Sequence, residues 1–356
     1  MAGPPPHGAV RSARRRLREK LMEDIKPDHV LRCTPDTVVW GFLAPDVAPV
    51  LHIRSGETVE VDTVNSVGVP SDDPESFFRE QGIAIEAAVA DMVAIIRSVP
   101  KGPGPHVLTG PIHVAGAEPG DVLEVEVLDV SPRAPYYGVS FTRPGVGSLP
   151  GLPDAPWLKL LRFDMARGVV PFDEVLEIPL APFMGTMGVA PTTRVSSIPP
   201  GVFGGNIDLK DMRPGARLYL PVQVPGALFF VGDGHAAQGN GEVSLTGLET
   251  SMRGCFRFRV HKAAGIAWPT AETADHYLVL GLDEDLDAAA ALAVSRAVDV
   301  ICRIAGVDRL HAYSLASLVV DFELTQIVDG VKGVHGRIPK SLFAGRGASE
   351  FWGPCA

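Results

Sequence analysis

Residues 231–242 read VGDGHAAQGNGE: two carboxylates, an imidazole and two amides threaded on four glycines. Asp233 and His235 stand two apart, a spacing that in extended chain aims both side chains the same way. A carboxylate oxygen and a neutral imidazole nitrogen on one face are ligands for zinc or a similar divalent ion. The glycines clear space for a small substrate, and Glu242 re-enters at the next apolar run. Upstream, FGGNIDLKD repeats the form, with Asn206 and Asp208 two apart after a Gly-Gly pair. One hairpin-like excursion separates the two stretches, so they are expected on adjacent strands. There they would gather Asp208, Asp233, Glu242, the imidazole and the amides. A bound cation lowers the pKa of its water from about 15.7 to about 7 and polarises a carbonyl. A carboxylate within reach, such as Glu242, could serve as general base. Asp and Asn beside glycine are also common turn formers, so each stretch alone reads as a turn more readily than as a site.

Other chemistries leave weaker traces. No G-x-S-x-G elbow occurs, since GVGSLPG at Gly145 has the wrong spacing, and no HExxH helix is present. Cys255 in SMRGCFRFRV is the nearest thiol nucleophile, but its alternating apolar surroundings favour a structural strand. The GPG and GVG groups lack the lysine and helix start of a phosphate loop. TQIVDGVKGVHGRIPK carries Gln326, Asp329, Lys332, His335 and Lys340. It reads equally as a loop reaching the site or an interface and as a plain hairpin.

The elements that must position these groups are mostly strands. RSGETVEVDTV, EPGDVLEVEVLDV and RPGARLYLPVQV each place a glycine turn before alternating apolar residues. That pattern predicts β-hairpin entries into sandwich or barrel layers. The run 227–231 reads as a buried strand. The Pro- and Gly-dense segment 132–198 reads as irregular, with short strands. Residues 77–98 fit a helical insertion interrupted at Gly82. Residues 285–304 are the best helix, with aspartates in the first turn and Gly306 past the end; a shorter helix is expected over 308–317, then a strand. The fold class is mainly β, in sandwich or barrel layers, with a smaller α/β element in the C-terminal third. Four regions follow: a mobile basic tail at 1–27, a β-rich region at 28–131, a central β-rich region with the site at 132–265, and an α/β region at 266–356.

The chain has 356 residues and a formal net charge of -10, which argues against nucleic acid as the main partner. No stretch approaches a membrane span. The basic tail lacks the apolar run of an export signal. The four cysteines form no CxxC pair and read as reduced cytosolic thiols.

PFMGTMGVAP, FGGNIDLKD, LFFVGDGHAAQGNGEVSLTGLETSM and LTQIVDGVKGVHGRIPK, in this order, resemble the acetamidase/formamidase family. HVLTGPIHVAGAEPGDVLEVEVLDV resembles its N-terminal half, and the similarity runs over 29–343. The resemblance implies a mainly β, cytoplasmic homo-oligomer that hydrolyses short-chain amides, with an associated divalent metal, zinc. By position, Asn206, Asp208, Asp233, His235, Gln238 and Glu242 match the polar residues of its central motif. The expected metal ligands are Asp233, His235, Asn206 and Asp208; the expected catalytic residues are Glu242, Asp208 and Gln238. The family usually has an acid where this chain has Asn240, and a second acid where it has Asn65. Segment 70–104 is longer than in compact members, which leaves room for larger or cyclic amides. The expected reaction is cleavage of a small amide to carboxylate and ammonia by metal-activated water. The alternatives are a Cys- or Ser-dependent amidase and a non-catalytic protein that binds an amide or an ion.

Overall fold

The computed structural model describes residues 26–343. The basic tail read at 1–27 therefore lies outside the described residues except for its last two, and Cys355 lies outside them too. Two sheets pack face to face. The larger has nine strands in the order His29–Leu31, Thr58–Asp62, Met252–His261, Val122–Pro132, Arg217–Pro221, Thr270–Glu272, His276–Asp283, Lys332–Pro339 and Asp321–Gln326. It draws strands from all three regions read between 28 and 356, so those boundaries divide the chain without dividing this sheet. The three glycine-turn motifs supply three of its strands. Gly56, Gly120 and Gly215 each stand in the left-handed region just before a strand, with φ of 99°, 94° and 95°. Glycine alone adopts that geometry without strain.

Alternation then does the sorting. Leu123, Val125 and Val127 turn inward and pack with Phe256 and Phe258 of the neighbouring strand and with Phe229 of the facing sheet. Burying each of these rings contributes about 2–3 kcal/mol. Glu124 and Glu126 turn outward, where Arg259 and Arg257 pair with them at 2.7 and 2.9 Å. The C-terminal element matches its sequence signals. The helix Leu286–Ala305 starts on Asp285, whose carboxylate accepts from the Ala288 N–H, and ends on left-handed Gly306. The helix Arg309–Val319 follows, capped by Asp308. The first lies against the strand His276–Asp283 so closely that a Cβ on Gly281 would sit 1.9 Å from the Ala289 carbonyl oxygen.

The smaller sheet positions the site. Its order is Gly204–Asn206, Phe183–Val189, Phe229–His235, Val107–Val114 and Val38–Trp40, with Leu51–Ile53 also paired to Val107–Val114. One expectation is corrected here. The FGGNIDLKD and VGDGH stretches do not lie on adjacent strands, because Phe183–Val189 runs between them and pairs with both. That strand is one of the short strands expected in the Pro- and Gly-dense segment, and all seven of its residues are buried. Its Gly and Met residues are packed on both faces, so no polar alternation marks it. The insertion near 77–98 is two helices, Pro74–Glu80 and Ala88–Ser98, on either side of left-handed Gly82. They cover a satellite core built on Phe78, Met92, Ile95 and Trp40.

Candidate active site

A cavity of about 490 Å³ opens at the end of the smaller sheet. Its floor is formed by Asn206, Asp233, His235, Glu242, Glu249 and Asp329, with His106 beside them. Asp233 and His235 do converge, with Asp233 Oδ1 3.4 Å from His235 Nε2. Simple alternation is not the reason, since Asp233 is left-handed at φ 56°. Asp208 (φ 49°) and Glu242 (φ 47°) share that conformation. Non-glycine residues rarely adopt it, and such strain collects at functional sites. Asp208 and Asp233 approach each other over Gly185 of the intervening strand. A Cβ there would lie 2.4 Å from Asp208 Oδ1 and 2.7 Å from Asp233 Oδ2.

His235 is held on three sides. Phe183 packs edge-on against its ring. Its Nδ1 lies 2.8 Å from Gln238 Oε1, and the Gln238 amide donates to the Asp208 carbonyl at 3.0 Å. That donation fixes the Gln238 oxygen toward the ring, so Nδ1 carries a proton and Nε2 is the nitrogen turned toward the acids. Nε2 in turn faces Glu249 Oε1 at 2.9 Å and Glu242 Oε1 at 3.9 Å.

Buried charge dominates the floor. Burial, reinforced by the Asp329 and Asp233 carboxylates, raises the Asp208 carboxyl well above its ordinary range. Burial, then Asp208, does the same to Glu242. Burial lifts Glu249 to about 8 and Asp329 to about 7. For Asp233, burial is outweighed by His106 and His235, which hold it low. For His235, burial is outweighed by Glu249 and Asp233, which raise it well above 6.5. Four carboxylate oxygens here are buried with no hydrogen-bond partner: both of Asp208, Glu249 Oε2 and Asp329 Oδ2. So many acids around one imidazole call for a counter-charge. Two groups have donor atoms close enough to hold one ion: Asp233, His235 and Glu249, or Asp208, His235 and Glu242. The donor chemistry therefore fits a divalent cation.

The sequence-read residues divide on inspection. Asp233, His235, Asp208 and Glu242 meet. Asn206 reaches the cavity, and its Oδ1 accepts from Thr186 Oγ1 at 2.6 Å. Gln238 lies behind His235, outside the main cavity, in the wall of a neighbouring one. Asp329 reaches the floor. Gln326 holds the turn that carries it, its Oε1 accepting from the Val328 and Asp329 N–H groups at 2.9 and 3.1 Å, whereas Lys332 and Lys340 bond to backbone carbonyls away from the floor and Lys340 also pairs with Glu272. Asn240 points away from the floor and donates to Glu323, where an aspartate would place like charges together. Asn65 accepts from the Val67 N–H at 3.0 Å and shapes a turn beside the cavity mouth.

Reading the sequence missed Glu249, His106, Thr186 and Gly185. Glu249 arrives by a bridge to His235 from the far end of a loop, and His106 ends the stretch KGPGPH, whose glycines and prolines read as a linker or loop. His106 anchors Nδ1 on Ser197 and sets Nε2 3.9 Å from Asp233 Oδ1.

His335 is fully buried away from the cavity floor, bonded to Thr325 Oγ1 at 2.9 Å. Burial pushes its imidazole down to about 4, with Arg337 and Lys210 adding to the shift and Asp211 opposing it. The folded protein thus keeps His335 neutral where the unfolded chain, titrating near 6.5, is protonated. Its contribution is complete above pH about 6.5 and is lost as pH falls toward 4. Wild type is expected to lose about 2–3 kcal/mol more than His335→Gln between pH 7 and 4.5. Urea melts of both proteins at the two pH values check this, and equal acid sensitivity would contradict it.

The site is thus a cation-competent, carboxyl-rich pocket on a mainly β sandwich. The pattern of the acetamidase/formamidase family matches residues 36–197 and 193–344. The chain belongs to that family. It is similar to the crystal structure of an acetamidase from Bacillus halodurans, with 30% identity and a TM-score of 0.74 over 88% of this chain and 98% of that one. An acetamidase from Yersinia enterocolitica matches at 27% identity and a TM-score of 0.75, over 90% and 94%. An acetamidase of Mycolicibacterium smegmatis is 29% identical over 205 residues, 40% of this chain and 50% of that protein. The chain spans about half the length of that curated relative. No helix among the described residues is long and apolar enough to cross a membrane.

Proposed function

We propose that the protein hydrolyses a small amide to carboxylate and ammonia with the help of a divalent cation. The observation that carries this reading is the cluster of buried carboxylates around His235, several of their oxygens without a partner, at the base of a cavity. Asp233, His235 and Glu249 would hold the ion, because Nε2 is the free nitrogen and these partners stand nearest to it. One imidazole and two carboxylates suit zinc. When bound, such an ion polarises a carbonyl and makes a water acidic near neutral pH. Glu242 then accepts the proton of the attacking water and returns it to the leaving amine. Asp208 and Asp329, pressed together, keep a proton in reserve next to Glu242. The Asn206 amide and the His106 ring fix the carboxylates against the cavity wall. The cytoplasm as location and a homo-oligomer as the assembled form rest on the family resemblance.

A thiol mechanism has less support. Burial raises Cys33 to about 12 and Cys255 to about 11, and among the described residues no cysteine lines the cavity. Ammonia release from formamide, acetamide and propionamide should require metal. Chelated protein is expected to fall to background, and zinc in near-stoichiometric amount should restore it. Full turnover by protein assayed as metal-free would sink the proposal and favour a Ser or Cys enzyme. Metal uptake without ammonia from any amide would favour a binding protein.

A further inference from the structure

We propose, building on the amide-hydrolysis reading, that the preferred substrate is an amide whose far end carries a carboxylate, read by Lys101 and Arg143. The cavity, at about 490 Å³, falls in the range of sites for drug-sized ligands, while formamide and acetamide are only a few atoms across. Its chemistry changes from floor to rim. The floor is buried and carboxyl-rich. The middle is apolar, with half-buried Val69, Phe141, Leu245 and Val328 in the lining. Lys101 and Arg143 also line the cavity, and both are exposed whereas His235 and Glu249 are buried. The two cations therefore mark the mouth.

Neither cation has a carboxylate within ion-pair distance among the described residues. Elsewhere the guanidinium groups are mostly spoken for: Arg217, Arg253, Arg257 and Arg259 each hold acids on the outer face of the large sheet. Lys101 leans over the Trp40 ring at 5.5 Å, which steers its ammonium without neutralising it. The loop following Arg143 is tied to the turn that carries Glu242, with the Ser148 N–H donating to the Val243 carbonyl at 2.8 Å. The mouth and the floor are thus held in one frame. A ligand with a single anionic end has one favourable orientation here. The acidic floor repels its carboxylate, the rim attracts it, and the intervening methylenes lie on the apolar wall while the amide reaches Glu242.

The test compares matched pairs: succinamic, glutaramic and adipamic acids against unbranched alkyl amides of the same length. The wild-type enzyme is expected to favour the best carboxylated amide over its neutral partner by about tenfold or more in kcat/KM, mainly through KM. In Lys101→Ala/Arg143→Ala that ratio should fall to about one. A parallel measurement, the rise in Tm on adding hexanoate, which has a single carboxylate, needs no turnover and should vanish in the double variant. Hydrolysis of neutral amides with no carboxylate preference would overturn the proposal and leave the amidase reading standing. A double variant that keeps the preference would also overturn it. No turnover of any amide, with a hexanoate-dependent Tm rise lost in the double variant, would keep the rim subsite and remove the amidase.

Discussion

Gly185→Ala is expected to cut both metal content and amide turnover by about a hundredfold or more. The added methyl would stand 2.4 Å from Asp208 Oδ1 and 2.7 Å from Asp233 Oδ2, closer than real contacts allow. It would also meet the Asp233 backbone oxygen at 3.0 Å, so rotating side chains alone does not relieve it. Asp233 and Asp208 must separate, and Asp233 carries His235 with it through the 3.4 Å contact. A displacement of about 1 Å in such a constellation costs orders of magnitude in rate. Gly151→Ala is the control, since a Cβ there meets nothing within 4 Å. Ammonia release, metal analysis and thermal melts on the two variants separate a site effect from unfolding. A Gly185→Ala protein with wild-type metal content and rate would mean that the two aspartates do not work together.

That variant also shows which parts of the molecule the sequence exposes. The helix Leu286–Ala305 is legible because its signals are local: Asp285 caps it and Gly306 ends it. The strands after Gly56, Gly120 and Gly215 are legible because one face is polar and the other is not. The strand Phe183–Val189 is hidden, because with both faces buried it has no alternation to read. The two acids it separates come together through the missing side chain of Gly185, and an absent side chain leaves no chemical trace in a sequence. The polar pairs Asn206/Asp208 and Asp233/His235 were visible as pairs. Their geometry was not, since Asp208, Asp233 and Glu242 all take left-handed backbone that spacing rules do not anticipate. Glu249 stands fourteen positions beyond His235, and only the fold sets it 2.9 Å from Nε2. Gln238 was visible as polar, but its contact with His235 Nδ1 at 2.8 Å was not.

Glu242→Gln is expected to retain the fold and the metal while turnover falls by about a thousandfold. The substitution keeps the shape of the side chain, and the ion keeps Asp233, His235 and Glu249. What is lost is the ability to take a proton from water and return it to nitrogen. The pH profile adds a second readout. Burial and the neighbouring Asp208 raise the Glu242 carboxyl, so below its pKa the base is protonated and idle. Wild-type kcat/KM should climb with pH through that raised value, above the ordinary carboxylate range, and this limb should be absent in the variant. Asp208 and Asp329 titrate with Glu242, so the limb belongs to the cluster as a whole. Metal analysis decides between the two donor groups. If Glu242→Gln loses the ion while Glu249→Gln keeps it, the ion belongs with Asp208, His235 and Glu242. Glu242 would then be a ligand, and the general base would have to be sought in Glu249, the other carboxyl in contact with His235 Nε2 that burial raises, to about 8.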